Sequence, residues 1–158
     1  MTAFRTLTFH SPEETAIFAT RLAPQLRAGD CLLLDGPVGA GKTHFARHLV
    51  QSLLTVPEDV PSPTYTLVQT YDTAAGPLWH ADLYRLTASD EIEELGLIEA
   101  FDTAICIIEW PDRLGSLAPR NALCLRFGHD DNLPDTRHIE LSWNHSGWAD
   151  RIGAIADV

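Results

Sequence analysis

The sequence predicts a mixed α/β fold, with parallel strands at the centre of one sheet, antiparallel hairpins added to it and helices flanking it. Two short runs, CLLLD at 31–35 and AICIIEW at 104–110, are continuously apolar, as strands buried on both faces of a parallel sheet are. Two pairs of strand-like segments, TLVQTYD with PLWHADLY and NALCLRFG with TRHIELSW, flank turn sequences and read as hairpins. With 158 residues, 45% of them apolar and 21% charged, the chain is long enough for one domain, 1–158, with a core of its own.

In chain order, TLTF (6–9) alternates weakly and is expected as a short strand. SPEETAIFATRLAPQL opens as a helix, because Ser11 can cap, Pro12 suits the first helical position and Glu14 completes a capping-box spacing. Ala16, Ile17, Ala19 and Leu22 are its expected inward face, and Gly29 is a stop. The buried strand at 31–35 follows, then a glycine-rich turn and the helix THFARHLVQSLL (43–54), with Phe45, Leu49, Leu53 and Leu54 inward. VPEDVPSPTYT is too rich in proline for regular structure and reads as a loop. The first hairpin turns at TAAG; SDEIEELGLIEAF then gives acidic helical pieces broken at Gly96. After the strand at 104–110 the second hairpin crosses HDDNLPD, and WADRIGAIA is expected as a terminal helix.

The turn between the first buried strand and its helix reads GPVGAGKT and fits G-x-x-x-x-G-K-[ST] with Gly36, Gly41, Lys42 and Thr43. Glycines at these positions let backbone N–H groups, those of Gly39, Ala40 and Gly41 among them, converge on a phosphate, and the helix dipole adds to the same spot. Lys42 is the only lysine of a chain with ten arginines, and a flexible ammonium folded back over the loop is a shape the guanidinium fork cannot copy. Thr43 offers a hydroxyl to Mg²⁺. The fold expected is therefore P-loop NTPase-like, with a nucleoside triphosphate and Mg²⁺ bound at this loop.

Such a loop needs a carboxylate for the metal, and Glu109, at the tip of the second buried strand, is the candidate, a plain strand end being the alternative. Asp82 ends another strand and is a candidate to hold a metal-bound water or orient the attacking one; a structural pair with Arg85 is the alternative. Thr64 and Ser62, between Pro61 and Tyr65, suit a loop that senses the γ-phosphate, or a plain turn stiffened by Pro61 and Pro63. Trp110 follows Glu109, and its flat face suits a base, although position alone favours core packing. His44 is near the phosphates in sequence, either donating to them or standing partly exposed.

The net charge of −11 makes the chain a poor binder of nucleic acid by itself. Twelve acidic residues against one basic, Arg85, lie between Glu58 and Asp112, either a solvated face or one turned to a basic partner. Cys31, Cys106 and Cys124 each sit in an apolar run without ligand spacing, so buried thiols in a reducing cytoplasm are expected. No stretch is long and apolar enough for a membrane span, and the N-terminal residues lack a signal-peptide layout. His44 and His48 stand one helical turn apart without a third ligand, so no zinc is expected.

In this order and spacing, GPVGAGKTHF, PSPTYTLVQTY, HADLYRL, EELGLIEAF and IEWPDRL resemble the TsaE family, small P-loop ATPases required in bacteria for threonylcarbamoyl-adenosine (t6A) modification of tRNA. The resemblance covers about residues 29–114. It implies that Lys42 contacts phosphate, that Thr43 and Glu109 coordinate Mg²⁺, and that Asp82 serves catalysis or the metal. Thr64 would belong to a switch-like loop and Trp110 would stack on adenine. It further implies a weak ATPase that resets a partner, a heterodimer of sugar-kinase-fold subunits, touching tRNA only indirectly; the acidic 58–112 segment becomes a candidate docking surface. The chain departs from the family pattern at Pro37 and Val38, usually an acid and a leucine, and at His44, usually a second threonine. A small-molecule P-loop kinase is a rival reading, but it calls for a further strand–helix unit and a lid of arginines, for which only Arg113 and Arg120 are at hand. A binding module switched by ATP without hydrolysis is the other.

Overall fold

Seven strands form one sheet in the order β1-β7-β6-β2-β5-β4-β3 in the computed structural model, which describes residues 3–156. Residues 1–2 and 157–158 of the expected domain lie outside the described residues. The strands are β1 (Ala3–Phe9), β2 (Cys31–Asp35), β3 (Val68–Thr73), β4 (Gly76–Asp82), β5 (Ile105–Glu109), β6 (Leu123–His129) and β7 (Arg137–Trp143). The helices are α1 (Pro12–Leu22), α2 (Lys42–Leu53), α3 (Ser89–Glu94), α4 (Leu97–Thr103) and α5 (Gly147–Ala156).

The centre of the sheet is parallel: β2 lies between β5 and β6, and β4 runs parallel to β5. The β3–β4 and β6–β7 hairpins and the β1–β7 pair are antiparallel. Both faces are covered, which is why CLLLD and ICIIE read as unbroken apolar runs. Leu32, Leu34, Ile105 and Ile107 pack on one side with Phe18 and Leu22 of α1, Phe45 and Leu49 of α2 and Trp148 of α5. Cys31, Leu33, Cys106 and Ile108 pack on the other with Ile92 of α3, Leu97 and Phe101 of α4 and Leu114.

α1 starts as expected, with Ser11 Oγ accepting from the Glu14 N–H at 3.2 Å. The reciprocal bond of a full capping box lands one residue early, on the His10 N–H, at 2.9 Å from Glu14 Oε2. Its inward face differs from the expected one. Phe18, with Thr15, Ala19 and Leu22, is buried, whereas Ile17 is 51% exposed and Ala16 only half-buried. The choice is made by aromatic packing, since the Phe18 ring lies 5.3 Å from Phe9 of β1 and 6.0 Å from Phe45 of α2. In α2, Phe45 and Leu49 are inward, joined by Ala46 and Val50, while Leu53 and Leu54 only flank the core. Burial pushes the Cys106 thiol up to about 12 and that of Cys31 well up, leaving both unreactive. Cys124 is only partly buried, a departure from the expected buried thiol.

Candidate functional site

Strand alternation assembles the site. In β4, Leu78, His80 and Asp82 share one face, and β5 runs beside it with Asp82 opposite Glu109 and His80 opposite Ile107. Leu78 and Ile107 pack into the core that α2 covers, so His80, Asp82 and Glu109 all point to the side where α2 begins. β2 sits on the other flank of β5, so the turn from β2 into α2 arrives over the same strand ends.

That turn depends on Gly36, with φ +134 and so close to β6 that an added Cβ would come within 3.0 Å of the Phe127 carbonyl oxygen. Gly39 and Gly41, at φ +81 and +102, complete a path that residues with side chains rarely follow. Lys42 folds back over the loop: its ammonium donates to the Gly36 carbonyl at 2.6 Å and lies 3.7 Å above the Trp110 ring. The residue is only 5% exposed. Burial pushes its pKa below the usual lysine range, against the opposing pull of Glu109, Asp35, Asp82 and Asp112.

Thr43 and Glu109 are joined across the cleft, the hydroxyl donating to Oε1 at 2.8 Å. Thr64 has one hydroxyl proton and gives it to Asp82 Oδ2 at 3.1 Å, so Ser62, 2.8 Å away, donates to Thr64 in turn. Asp82 Oδ1 accepts the Tyr84 N–H at 3.0 Å. The loop is thus tied to the strand end, with Leu67 N–H bonded to Pro63 O and Asp82 N–H to Leu67 O. No Asp82–Arg85 ion pair forms among the described residues; the Arg85 guanidinium instead reaches the Tyr65 carbonyl at 3.5 Å. The structural-pair alternative for Asp82 is therefore set aside.

Val38, Gly39, Gly41, Lys42, Thr43 and His44 line one wall of a cleft of about 450 Å³, and Thr64, Asp82, Tyr84, Glu109 and Trp110 line the other. Of the site residues expected from the sequence, Gly39, Gly41, Lys42, Thr43, His44, Thr64, Asp82, Glu109 and Trp110 meet there; Gly36 and Ser62 stand behind it, and Ala40 is fully buried and spends its N–H on the Pro37 carbonyl. His44 borders the cleft, but its Nε2 is 3.0 Å from the Pro12 carbonyl, which can only accept. Nε2 therefore carries the proton and points at α1. Trp110, in left-handed backbone conformation at φ 59, is partly buried against the core on the α3–α4 side of the sheet and also lines the cleft, its ring 4.8 Å from Tyr84. The expectation of a base platform thus meets a ring already in contact with Lys42.

The sequence reading missed His80. Its Nε2 stands 2.7 Å from Glu109 Oε2, and the two residues are 0% and 2% exposed. It also passed over Tyr84 and Val38 as cleft residues. Two carboxylates and a hydroxyl converge here, an all-oxygen set that suits a hard cation such as Mg²⁺. No group of three His, Cys, Asp or Glu side chains able to hold a metal occurs among the described residues, and no helix there is long and apolar enough to cross a membrane.

The family model described as threonylcarbamoyl adenosine biosynthesis protein TsaE matches residues 9–139. The protein of Rickettsia bellii named tRNA threonylcarbamoyladenosine biosynthesis protein TsaE is 40% identical over 110 residues, which cover 70% of this chain and 76% of that one. Its namesake in Rickettsia felis is 41% identical over 106 residues, 67% of this chain but 62% of its own length. The Bacillus subtilis protein of the same name is 37% identical over 125 residues, 77% of each chain. Among solved structures, the crystal structure of Bacillus subtilis YdiB superimposes with a TM-score of 0.77 at 25% identity, over 99% of this chain and 96% of that one.

Proposed function

The chain belongs to the TsaE family, and on that footing we propose that it binds ATP with Mg²⁺ in the cleft and hydrolyses it slowly, serving the threonylcarbamoyl modification of adenosine in tRNA. One observation carries the reading: the phosphate-loop lysine and threonine meet a strand-end carboxylate, Thr43 bonded to Glu109 at 2.8 Å and Lys42 folded over the loop by Gly36. A cation beside it favours an anion here, because Asp82 and Glu109 leave the cleft with more negative than positive side chains.

Thr43 and Glu109 would hold the Mg²⁺, with Asp82 on the same face of the sheet beside them. When bound, that ion neutralises charge on the phosphate oxygens as a Lewis acid. Lys42 contacts the β- and γ-phosphates, and the N–H groups of the loop, positioned by Gly39 and Gly41, receive the charge that grows on the transferred group. Asp82 orients the attacking water in line with the leaving oxygen. Thr64, bonded to Asp82, carries the presence of the γ-phosphate into the 61–66 loop, and exchange of ATP for ADP loosens it. Adenine stacks on Trp110, at the edge of the cleft beside Tyr84.

No arginine lines the cleft among the described residues, and Arg85 is turned to Tyr65. Turnover alone is therefore slow, and a group from the partner, the heterodimer of sugar-kinase-fold subunits, completes the site. The acidic 58–112 stretch faces that partner in the cytoplasm, and tRNA is met only through it. A small-molecule kinase fits less well: Arg113, which would have to reach over the phosphates, is bonded to Asp112 and to the Tyr84 carbonyl.

The test is phosphate release from Mg·ATP by the chain alone, then with the heterodimer and tRNA, with Lys42→Ala as the blank. Slow release that rises with the partners and vanishes in the variant is expected. Release indifferent to the partners, or phosphate transferred to a small acceptor, overturns the reading.

A further inference from the structure

We infer that His80 is a positioning residue for Glu109: buried beneath the cleft, it holds one carboxylate oxygen so that the other is presented to Thr43 and to the metal. The inference rests on the ATP–Mg²⁺ reading of the same cleft.

The imidazole is fully buried, and among the described residues its one hydrogen bond is to Glu109, Nε2 to Oε2 at 2.7 Å, while its Nδ1 has no partner among them. Because a carboxylate oxygen can only accept, this bond requires the proton on Nε2. A residue needed only for packing at this position would be apolar, as Leu78 two residues earlier on the same face is. A histidine here instead accepts the desolvation of one nitrogen to serve a single bond.

What that bond does follows from the other end of the carboxylate. Oε1 accepts from the Thr43 hydroxyl at 2.8 Å, so Glu109 is held at both oxygens and its plane is fixed between α2 and β4. Without His80, Oε2 would be a buried acceptor with no donor among the described residues, and the carboxylate would turn away from Thr43 to find one. Residues that orient a metal-binding side chain in this way contribute substantially to metal affinity without touching the ion. Asp82, two residues further on the same face, is held independently by Thr64 and the Tyr84 N–H, so loss of His80 should leave it in place.

Side-chain amides separate this role from bulk. The glutamine amide nitrogen can stand where Nε2 stands, whereas that of asparagine falls short, near Nδ1. Mn²⁺ binding to the full chain in the presence of ADP, followed by electron paramagnetic resonance, should weaken about 10- to 100-fold in His80→Asn and stay within a few-fold of wild type in His80→Gln. ADP affinity in EDTA should be unchanged in both. Equal Mn²⁺ affinity in all three proteins, equal loss in both variants, or a matching loss of metal-free ADP affinity would overturn the role. If His80→Asn does not fold, His80→Leu replaces it with the same expectation. ¹⁵N spectra of the wild type need no variant: the His80 Nε2 should read as protonated, and a bare Nε2 overturns the inference. Should wild type with ADP take up no Mn²⁺, the ATP–Mg²⁺ reading fails instead, and the nitrogen spectra still decide whether His80 donates to Glu109.

Discussion

Replacing Gly36 with alanine tests whether the phosphate loop is shaped by its contact with the sheet or by backbone freedom alone. At Gly36 an added Cβ would lie within 3.0 Å of the Phe127 carbonyl oxygen and 3.2 Å from both the carbonyl carbon and Cβ of Phe127. That neighbour cannot easily give way. Phe127 is paired with Ile139 in the sheet, and its ring sits 5.6 Å from Phe45 of α2. The φ of +134 adds a conformation that alanine avoids. Left-handed strain of about 1–2 kcal/mol and a backbone clash of about 1–3 kcal/mol give on the order of 3 kcal/mol lost. For a chain of this size that is roughly a 6–12 °C fall in melting temperature. Gly39, at φ +81, meets nothing within 4 Å, so Gly39→Ala isolates the strain at about 1–2 kcal/mol, roughly 2–8 °C. Thermal unfolding without nucleotide, read by circular dichroism, compares the two. Equal falls would refute the close approach of the loop to β6, and with it the account of how Gly36 presents its carbonyl to Lys42.

Lys42→Met should leave the nucleotide-free protein at least as stable as wild type at pH 7. The pKa of Lys42 is lowered on folding, so its buried ammonium is a cost that is present at neutral pH and relieved as pH rises from the lowered value towards the ordinary 10.5. Urea unfolding at pH 7 and at pH 10 should show the variant's advantage narrowing, and a variant weaker than wild type at pH 7 would contradict that sign. Asp82→Ala should cut single-turnover phosphate release about 10²- to 10⁴-fold while calorimetric ATP affinity stays within a few-fold; retained turnover would reduce Asp82 to an anchor for Thr64 and the Tyr84 N–H. Trp110→Leu should weaken tripolyphosphate by about 2- to 30-fold, since Lys42 loses the ring it is held against, and ATP by more, since adenine loses its platform as well. Equal losses would mean that the ring serves the lysine and not the base.

The fold was legible where burial is two-sided or where a turn is forced. CLLLD and ICIIE have no polar face because helices cover both sides of β2 and β5, so composition alone identifies them. The β3–β4 turn at Ala74 and Ala75 and the break between α3 and α4 at Gly96, φ +82, follow from local chemistry. The inward face of α1 was not legible. In TAIFA, apolar residues occupy four consecutive positions, which suit two overlapping faces of a helix, and only the tertiary contacts of Phe18 with Phe9 and Phe45 choose between them.

The site divides along the same line. Gly36, Lys42 and Thr43 share a local motif, Glu109 marks the end of an apolar run and Asp82 the end of a hairpin strand, so all could be named before the chain was folded. His80 could not be tied to Glu109 in the same way, because that requires β4 to lie beside β5 in the register that sets Asp82 against Glu109, and strand order is not written in either segment. Half of the signal was nonetheless local. Once Asp82 is taken as facing the cleft, period-two alternation puts His80 on the same face, one step deeper in the sheet, where a titratable side chain is out of place unless something polar meets it. The two carboxylates of the cleft thus have opposite supports. Asp82 hangs from the 61–66 loop through Thr64, while Glu109 is braced from within by His80. A change in the loop can therefore move Asp82 without disturbing Glu109; on the proposed ATP–Mg²⁺ reading, the water-orienting group would respond to the nucleotide while the metal-holding group stays in place.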